Sequence, residues 1–173
     1  MGMRSEHLDF AEFYRNSRDE CLRTVLIIVG DQDSAQEIVA EAFARAWASW
    51  RTVSRHPAPV AWVVRTALNV NVSRWRRHRR EVPIPDLGVV AGQPEAVTGV
   101  QDPIDPRIMA ALMRLPARQR QVIALRVILD LDTSGTARVL GVRPNTVMVH
   151  MVRALATLRS DLGFVLEPQQ ENQ

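Results

Sequence analysis

The stretch DSAQEIVAEAFARAW, Asp33 to Trp47, reads as one amphipathic helix, and the organisation of the chain follows from it. Ser34-Ala35-Gln36-Glu37 has the form of a capping box, in which a serine hydroxyl and a glutamate carboxylate each satisfy a free amide at a helix start. Ile38, Ala42, Phe43, Ala46 and Trp47 recur at helical spacing, with Trp50 beyond them, so this side is expected to face inward. Upstream, Phe10, Phe13, Tyr14, Leu22, Val25, Leu26 and Val29 form a second apolar stripe behind a candidate cap at Asp9. Gly30-Asp31 stops it, which predicts a helix over 9–29. Downstream, Pro57 and Pro59 mark a break before a third helix carrying Val60, Val63, Val64, Ala67, Leu68, Val72 and Trp75.

That third helix runs into Arg74-Trp75-Arg76-Arg77-His78-Arg79-Arg80, the densest charge in the chain. Five guanidiniums around an indole face suit the neutralisation of phosphates beside stacked bases; a solvated helix end is the bland alternative. Lysine is absent and the Lys+Arg total of 22 is all arginine, so the guanidinium is the permanent cation available for phosphates or carboxylates. Trp47 and Trp62 are expected in the core.

From Glu81 to Pro106 arginine is absent, while Glu81, Asp86, Glu95, Asp102 and Asp105 accumulate among prolines and glycines, the pattern of an extended acidic linker. Helical spacing then resumes. Asp105-Pro106 is placed to cap a helix with Ile108, Leu112 and Met113. Leu115-Pro116 opens another with Val122, Ile123, Leu125, Val127 and Ile128, and a short helix over 134–140 precedes a long one over 144–162. Strand signals are absent. The expectation is an all-α protein of two small helical domains, residues 1–80 and 107–163, joined by an acidic linker over 81–106 and followed by a tail over 164–173.

Ala137, Gly141 and Val147 fall four and six residues apart, with Leu140 and Val142 between them. A helix-turn-helix needs this order: a small residue at the helix crossing, a glycine free to take φ > 0, and a β-branched residue packing the second helix back. Its second helix would present Arg143, Asn145, Thr146, Met148, Val149, His150 and Arg153 to a major groove. Met148 and Val149 donate no hydrogen bond, so bases facing them would be read through thymine methyls or shape. Gly135 inside the short first helix costs on the order of 1 kcal/mol relative to alanine.

Catalytic signals are few. His7, His56, His78 and His150 are scattered, HExxH and GxSxG are absent, and a single cysteine, Cys21, excludes a disulfide framework and a zinc site built on paired cysteines. No enzyme activity, cofactor or metal is expected. The longest apolar run, Val25 to Val29, is too short to cross a bilayer, and the polar start lacks a secretory layout, so a cytoplasmic protein without membrane insertion is expected.

With these motifs in place the chain resembles an extracytoplasmic-function RNA polymerase sigma factor over nearly its whole length. Asp33 to Trp47 resembles the region-two helix that docks on the polymerase β′ clamp. Ala61 to Asn69 before the arginine cluster is similar to the helix that meets the melted minus-ten element. Leu115 to Val122, Leu125-Arg126, Leu140-Gly141-Val142 and Arg153 to Arg159 resemble region four. The second half alone is shared with LuxR-type regulators, which keeps a stand-alone helix-turn-helix regulator as the alternative; the first half decides for the sigma factor.

The resemblance implies roles. Glu37, Ile38, Glu41, Phe43 and Trp47 would hold the clamp. Arg65, Asn69, Arg74, Arg76, Arg77, Arg79 and Arg80 would meet minus-ten DNA, with Asn69 at the flipped base and the loop from Arg51 to Pro59 receiving it. Arg143, Asn145, Thr146, Met148, Val149, His150 and Arg153 would meet the minus-thirty-five element. Partners implied are core polymerase, through its β′ clamp and β flap, promoter DNA and an anti-sigma factor, with the acidic linker threading the RNA-exit path. Gly135 stands where the family usually has Glu, and Met148 where it usually has Lys or Arg.

Overall fold

The structure, a computed structural model, describes residues 2–81 and 104–163, and the side chains of 10–76 and 104–163 among them. Every regular element among these is helical: α1 (Gly2–Val29), α2 (Gln32–Ala48), α3 (Trp50–Val53), α4 (Pro59–Glu81), α5 (Pro106–Arg114), α6 (Ala117–Ile123), α7 (Thr133–Leu140) and α8 (Pro144–Leu162). One turn of π-helix, Ala124–Ile128, extends α6. The expected acidic linker lies, over 82–103, outside the described residues, as does the expected tail over 164–173. No described helix is long and apolar enough to cross a membrane.

α1, α2 and α4 pack together with the short α3 at one end. The start of α2 differs from the expected capping box: Asp31 is the N-cap, accepting a hydrogen bond from the Ser34 amide at 2.8 Å, and Ser34 is already helical. A carboxylate one turn earlier does the serine's work and adds negative charge at the positive helix end. The Ser34 hydrogen bonds hold the Asp31 carboxyl below its usual pKa. An acid depressed in this way contributes stability above its unfolded pKa and loses it as pH falls through the folded one. Asp31→Ala is expected to destabilise the chain by about 1 kcal/mol at neutral pH, with the difference shrinking in acid, read from denaturant midpoints across pH.

Among its described side chains, α1 is amphipathic from Phe10 to Glu20. From Cys21 to Ile28 it is enclosed almost all round, with Cys21, Thr24 and Val25 at 0% exposure. A helix apolar on every side must be covered on every side. α2 and α4 cover one side; α5, α6 and the π-turn, contributed from residues 106–128 far along the chain, cover the other. Burial, followed by the neighbouring Glu20, pushes the Cys21 thiol up to about 12, which leaves it protonated and inert.

The two halves therefore share one apolar core. Two details join them. Gly30 takes φ +82 at the end of α1, and a Cβ there would stand 2.5 Å from the Met113 sulfur. Arg120 on α6 donates from Nε to the Ile28 carbonyl at 3.2 Å, and from Nη1 to the carbonyls of Met113 at 3.3 Å and Leu115 at 3.4 Å. Burial lowers its pKa.

The second half opens as read: Asp105 caps α5 by accepting from the Arg107 amide at 2.7 Å, and Pro106 takes the first helical position. Ile108 and Val127, expected inward, are exposed, because Met109 and Ala111 take the inner side of α5 and the π-turn rotates Val127 outward. Gly141 is left-handed at φ +65, and the Val142 amide closes the turn on the Ala137 carbonyl at 3.0 Å. Val147, 1% exposed, packs on Val122 and Ala137. Gly135 is buried; its amide donates to the Asp132 cap, and a Cβ would meet that carboxylate at 2.9 Å. The glycine thus admits the cap closely, which offsets part of its propensity cost.

Candidate polymerase and nucleic-acid faces

The outer side of α2 carries Glu37, Ala40, Glu41, Ala44 and Trp47, all exposed. Ile38 and Phe43 are core residues, 1% and 2% exposed, so of the five clamp candidates Glu37, Glu41 and Trp47 reach the surface. Trp47 departs from its expected place in the core: at 39% exposure it lies on the rim. Its ring packs on Phe10 at 4.8 Å between centroids, and Tyr14 meets Phe43 edge-on at 4.9 Å. Phe10, Tyr14, Ala40, Phe43, Ala44 and Trp47 line a shallow groove of about 500 Å³ between α1 and α2. Small residues at 40 and 44 leave the aromatic walls standing, a form that suits the flank of another helix. Trp62, half-buried, packs on the core.

Acidic groups on α2 are already engaged. Glu41 pairs with Arg45 at 2.6 Å one turn on, an orientation that favours the helix dipole. Glu37 accepts from Arg74 of α4, joining a residue expected at the polymerase to one expected at DNA. Exposure keeps both pairs weak, of order 0.5 kcal/mol.

On α4 the exposed positions Arg65, Asn69, Val72 with Ser73, and Arg76 are each three or four residues from the next turn's members, so they form one outer stripe. Arg74 lies to one side of it against α2. Val72, counted in the apolar period of this helix, is 45% exposed, and Val70, 1% exposed, takes the inner place; Trp75, read both in that period and as an indole face among the arginines, is 55% exposed. Arg77, Arg79 and Arg80 belong to the same helix, and their side chains lie outside the described residues. The connection before α4 is shorter than read: Trp50–Val53 is helical, and the turn that follows is held by the Ala58 amide donating to His56 Nδ1 at 3.0 Å.

On α8, Arg143 forms the N-cap and Pro144 the first turn. Asn145, Met148, Val149 and Arg153 are exposed, whereas Thr146 and His150 are half-buried. Val152, absent from the sequence-based set, is 68% exposed; its position four residues beyond Met148 is the signal that would have found it.

Residues 13–81 match the family Sigma-70 region 2, and residues 106–158 match Sigma-70, region 4. The RNA polymerase sigma-E factor of Streptomyces coelicolor is 32% identical over 158 residues, covering 91% of this chain and 88% of that protein. That of Streptomyces antibioticus is 32% identical over 163 residues, covering 91% and 86%. The fold is that of the sigma factor RpoE solved with the anti-sigma factor NepR from Bartonella quintana, at a TM-score of 0.71 and 20% identity, covering 91% of this chain and 98% of that one.

Proposed function

The chain belongs to the sigma-70 family as an RNA polymerase sigma factor of the extracytoplasmic-function type, and from that premise we propose how its faces divide the work of promoter recognition. Its role is regulatory. Residues 1–80 hold core polymerase through the outer side of α2 and meet minus-ten DNA through α4. Residues 107–163 meet the minus-thirty-five element through α8, and 81–106 connect the two in the polymerase's RNA-exit path.

The observation that carries this division is the pair of exposed faces at right positions on neighbouring helices: an aromatic groove with Glu37, Glu41 and Trp47 on α2, and the Arg65, Asn69, Arg76 stripe on α4. Polymerase docking needs an apolar seat with a charged rim. Holding a melted strand needs guanidiniums beside a hydrogen-bonding side chain that can meet an extruded base. A stand-alone duplex-binding regulator accounts for α7 and α8 and leaves the groove and the α4 stripe without a task. By analogy with the Bartonella protein, an anti-sigma factor is a further partner; the cytoplasm, where a polymerase subunit would act, is the proposed place of action.

Run-off transcription with purified core polymerase is the test. Promoter-dependent product is expected from the native chain. Trp47→Ala is expected to weaken holoenzyme assembly about tenfold, the effect of truncating one aromatic anchor. Native-like assembly by the Trp47 variant would remove α2 from the polymerase contact, and failure to initiate on any template would end the proposal.

A further inference from the structure

Asn145, Met148, Val149, Val152 and Arg153 fall at i, i+3, i+4, i+7 and i+8 along α8 and are all exposed, so they form one continuous stripe. Its middle is apolar: Met148, Val149 and Val152 are 57%, 47% and 68% exposed. A lone exposed hydrophobic side chain is ordinary, whereas three adjoining on one helix face mark a surface meant to be covered. The same helix buries Val147 and Ala154 on its inner side, so the outer three are not core residues turned the wrong way.

Hydrogen-bonding groups on this face are confined to its ends. His150 is half-buried, its Nδ1 enclosed without a partner, and Thr146 is half-buried as well. Guanine presents only acceptors in the major groove, at N7 and O6, and requires a donor such as arginine. The centre of the stripe offers none. Thymine presents a methyl group, which Met148, Val149 and Val152 are able to cover. Asn145, at the helix start, has a side-chain amide able to donate to adenine N7 while accepting from its N6 amino group, and Arg143 and Arg153 flank the apolar patch as phosphate contacts do. Carboxylates are missing from the stripe, and Asp161, far along α8, is held by Arg114 at 2.9 Å. Cationic ends around an apolar centre favour a nucleic-acid occupant over a protein one.

Resting on the assignment of α8 to the minus-thirty-five element, we propose that this chain recognises that element by its thymine methyl groups, with Met148, Val149 and Val152 as the specificity-determining residues and Asn145 reading an adjacent adenine. Guanine contributes little at the positions these three cover. One methyl removed from an apolar contact is worth about 0.8 kcal/mol, or roughly a fourfold change in affinity.

Deoxyuridine differs from thymidine by that methyl alone, which gives a direct test. The full chain and core polymerase are presented with duplexes randomised over both promoter elements, and templates that initiate are recovered. They are then resynthesised with deoxyuridine for thymidine in the minus-thirty-five element only. The expected result is selection of thymine-rich elements, initiation reduced about fourfold for each contacted methyl removed, and, for Met148→Arg, acquired preference for guanine with loss of the uracil effect at one position. Equal initiation on thymidine and deoxyuridine templates overturns the proposal and leaves the sigma-factor reading intact. It is also overturned if Met148→Ala with Val152→Ala lowers output equally on both template sets, the behaviour of a protein seated on the stripe. If no template initiates, the assignment of function falls with it.

Discussion

Val147→Asp is expected to unfold the helix pair of the second half, at a cost of more than about 4 kcal/mol. Val147 is 1% exposed, and its neighbours Val122 and Ala137 offer a carboxylate neither a proton nor a counter-charge. Burial would raise the pKa of the new carboxyl above its unfolded value of about 3.9. The folded state would then bind the extra proton, so the penalty is small below that value and grows as pH rises through the folded pKa. All four tryptophans, Trp47, Trp50, Trp62 and Trp75, stand in the first half. Far-ultraviolet dichroism should therefore lose helix signal at lower urea concentration than tryptophan fluorescence changes. Coincident, native-like transitions would show that Val147 does not hold the helix pair.

Arg120→Met is the second large expectation, about 2 kcal/mol. Methionine keeps the length of the stem and removes the donors, leaving the carbonyls of Ile28, Met113 and Leu115 short of a partner in a half-buried place. The loss should concentrate where α1 meets α6: amide exchange in the last turn of α1 is expected to quicken more than that in α2. Arg118→Met serves as comparison, since Arg118 is exposed and, among the described residues, bonds to Gln121; its effect should stay within about 0.5 kcal/mol. Equal effects from the two substitutions would remove Arg120 from its joining role.

Helix ends were legible wherever the chain punctuates them chemically. Asp105-Pro106 and Pro144 fix starts, Gly141 and Gly163 fix stops, and the structure keeps those bounds. Facing was less legible. Over a helix as long as α4, a stripe chosen by eye drifts from the true inner face, which is why Val72 turned out exposed and Val70 buried. Trp47 was misplaced for a different reason: aromatic bulk suggests core, and only the small residues at 40 and 44 reveal that a groove passes beneath it. Ile38 and Phe43 fall in the clamp-like block but support it from within. The full enclosure of Cys21 to Ile28, and Arg120 reaching Ile28, depend on partners about ninety residues away and leave no local periodicity to read.

The packing of α4 against α7 sets a limit of length. Helices in contact have axes about 8–10 Å apart. Elements named for positions ten and thirty-five are separated by about 25 base pairs, or roughly 85 Å of duplex at 3.4 Å per step. On the proposed assignment of α4 and α8, the closed body is too short a ruler for the two marks, and reading both would require α1 to part from α6 and the Arg120 contacts to break. The chain between Glu81 and Ile104 has the contour length for this, roughly 80 Å when fully extended. On that assignment, a molecule whose two readers are folded against each other would be selective before it meets any sequence, since free duplex would engage both only once something holds the halves apart.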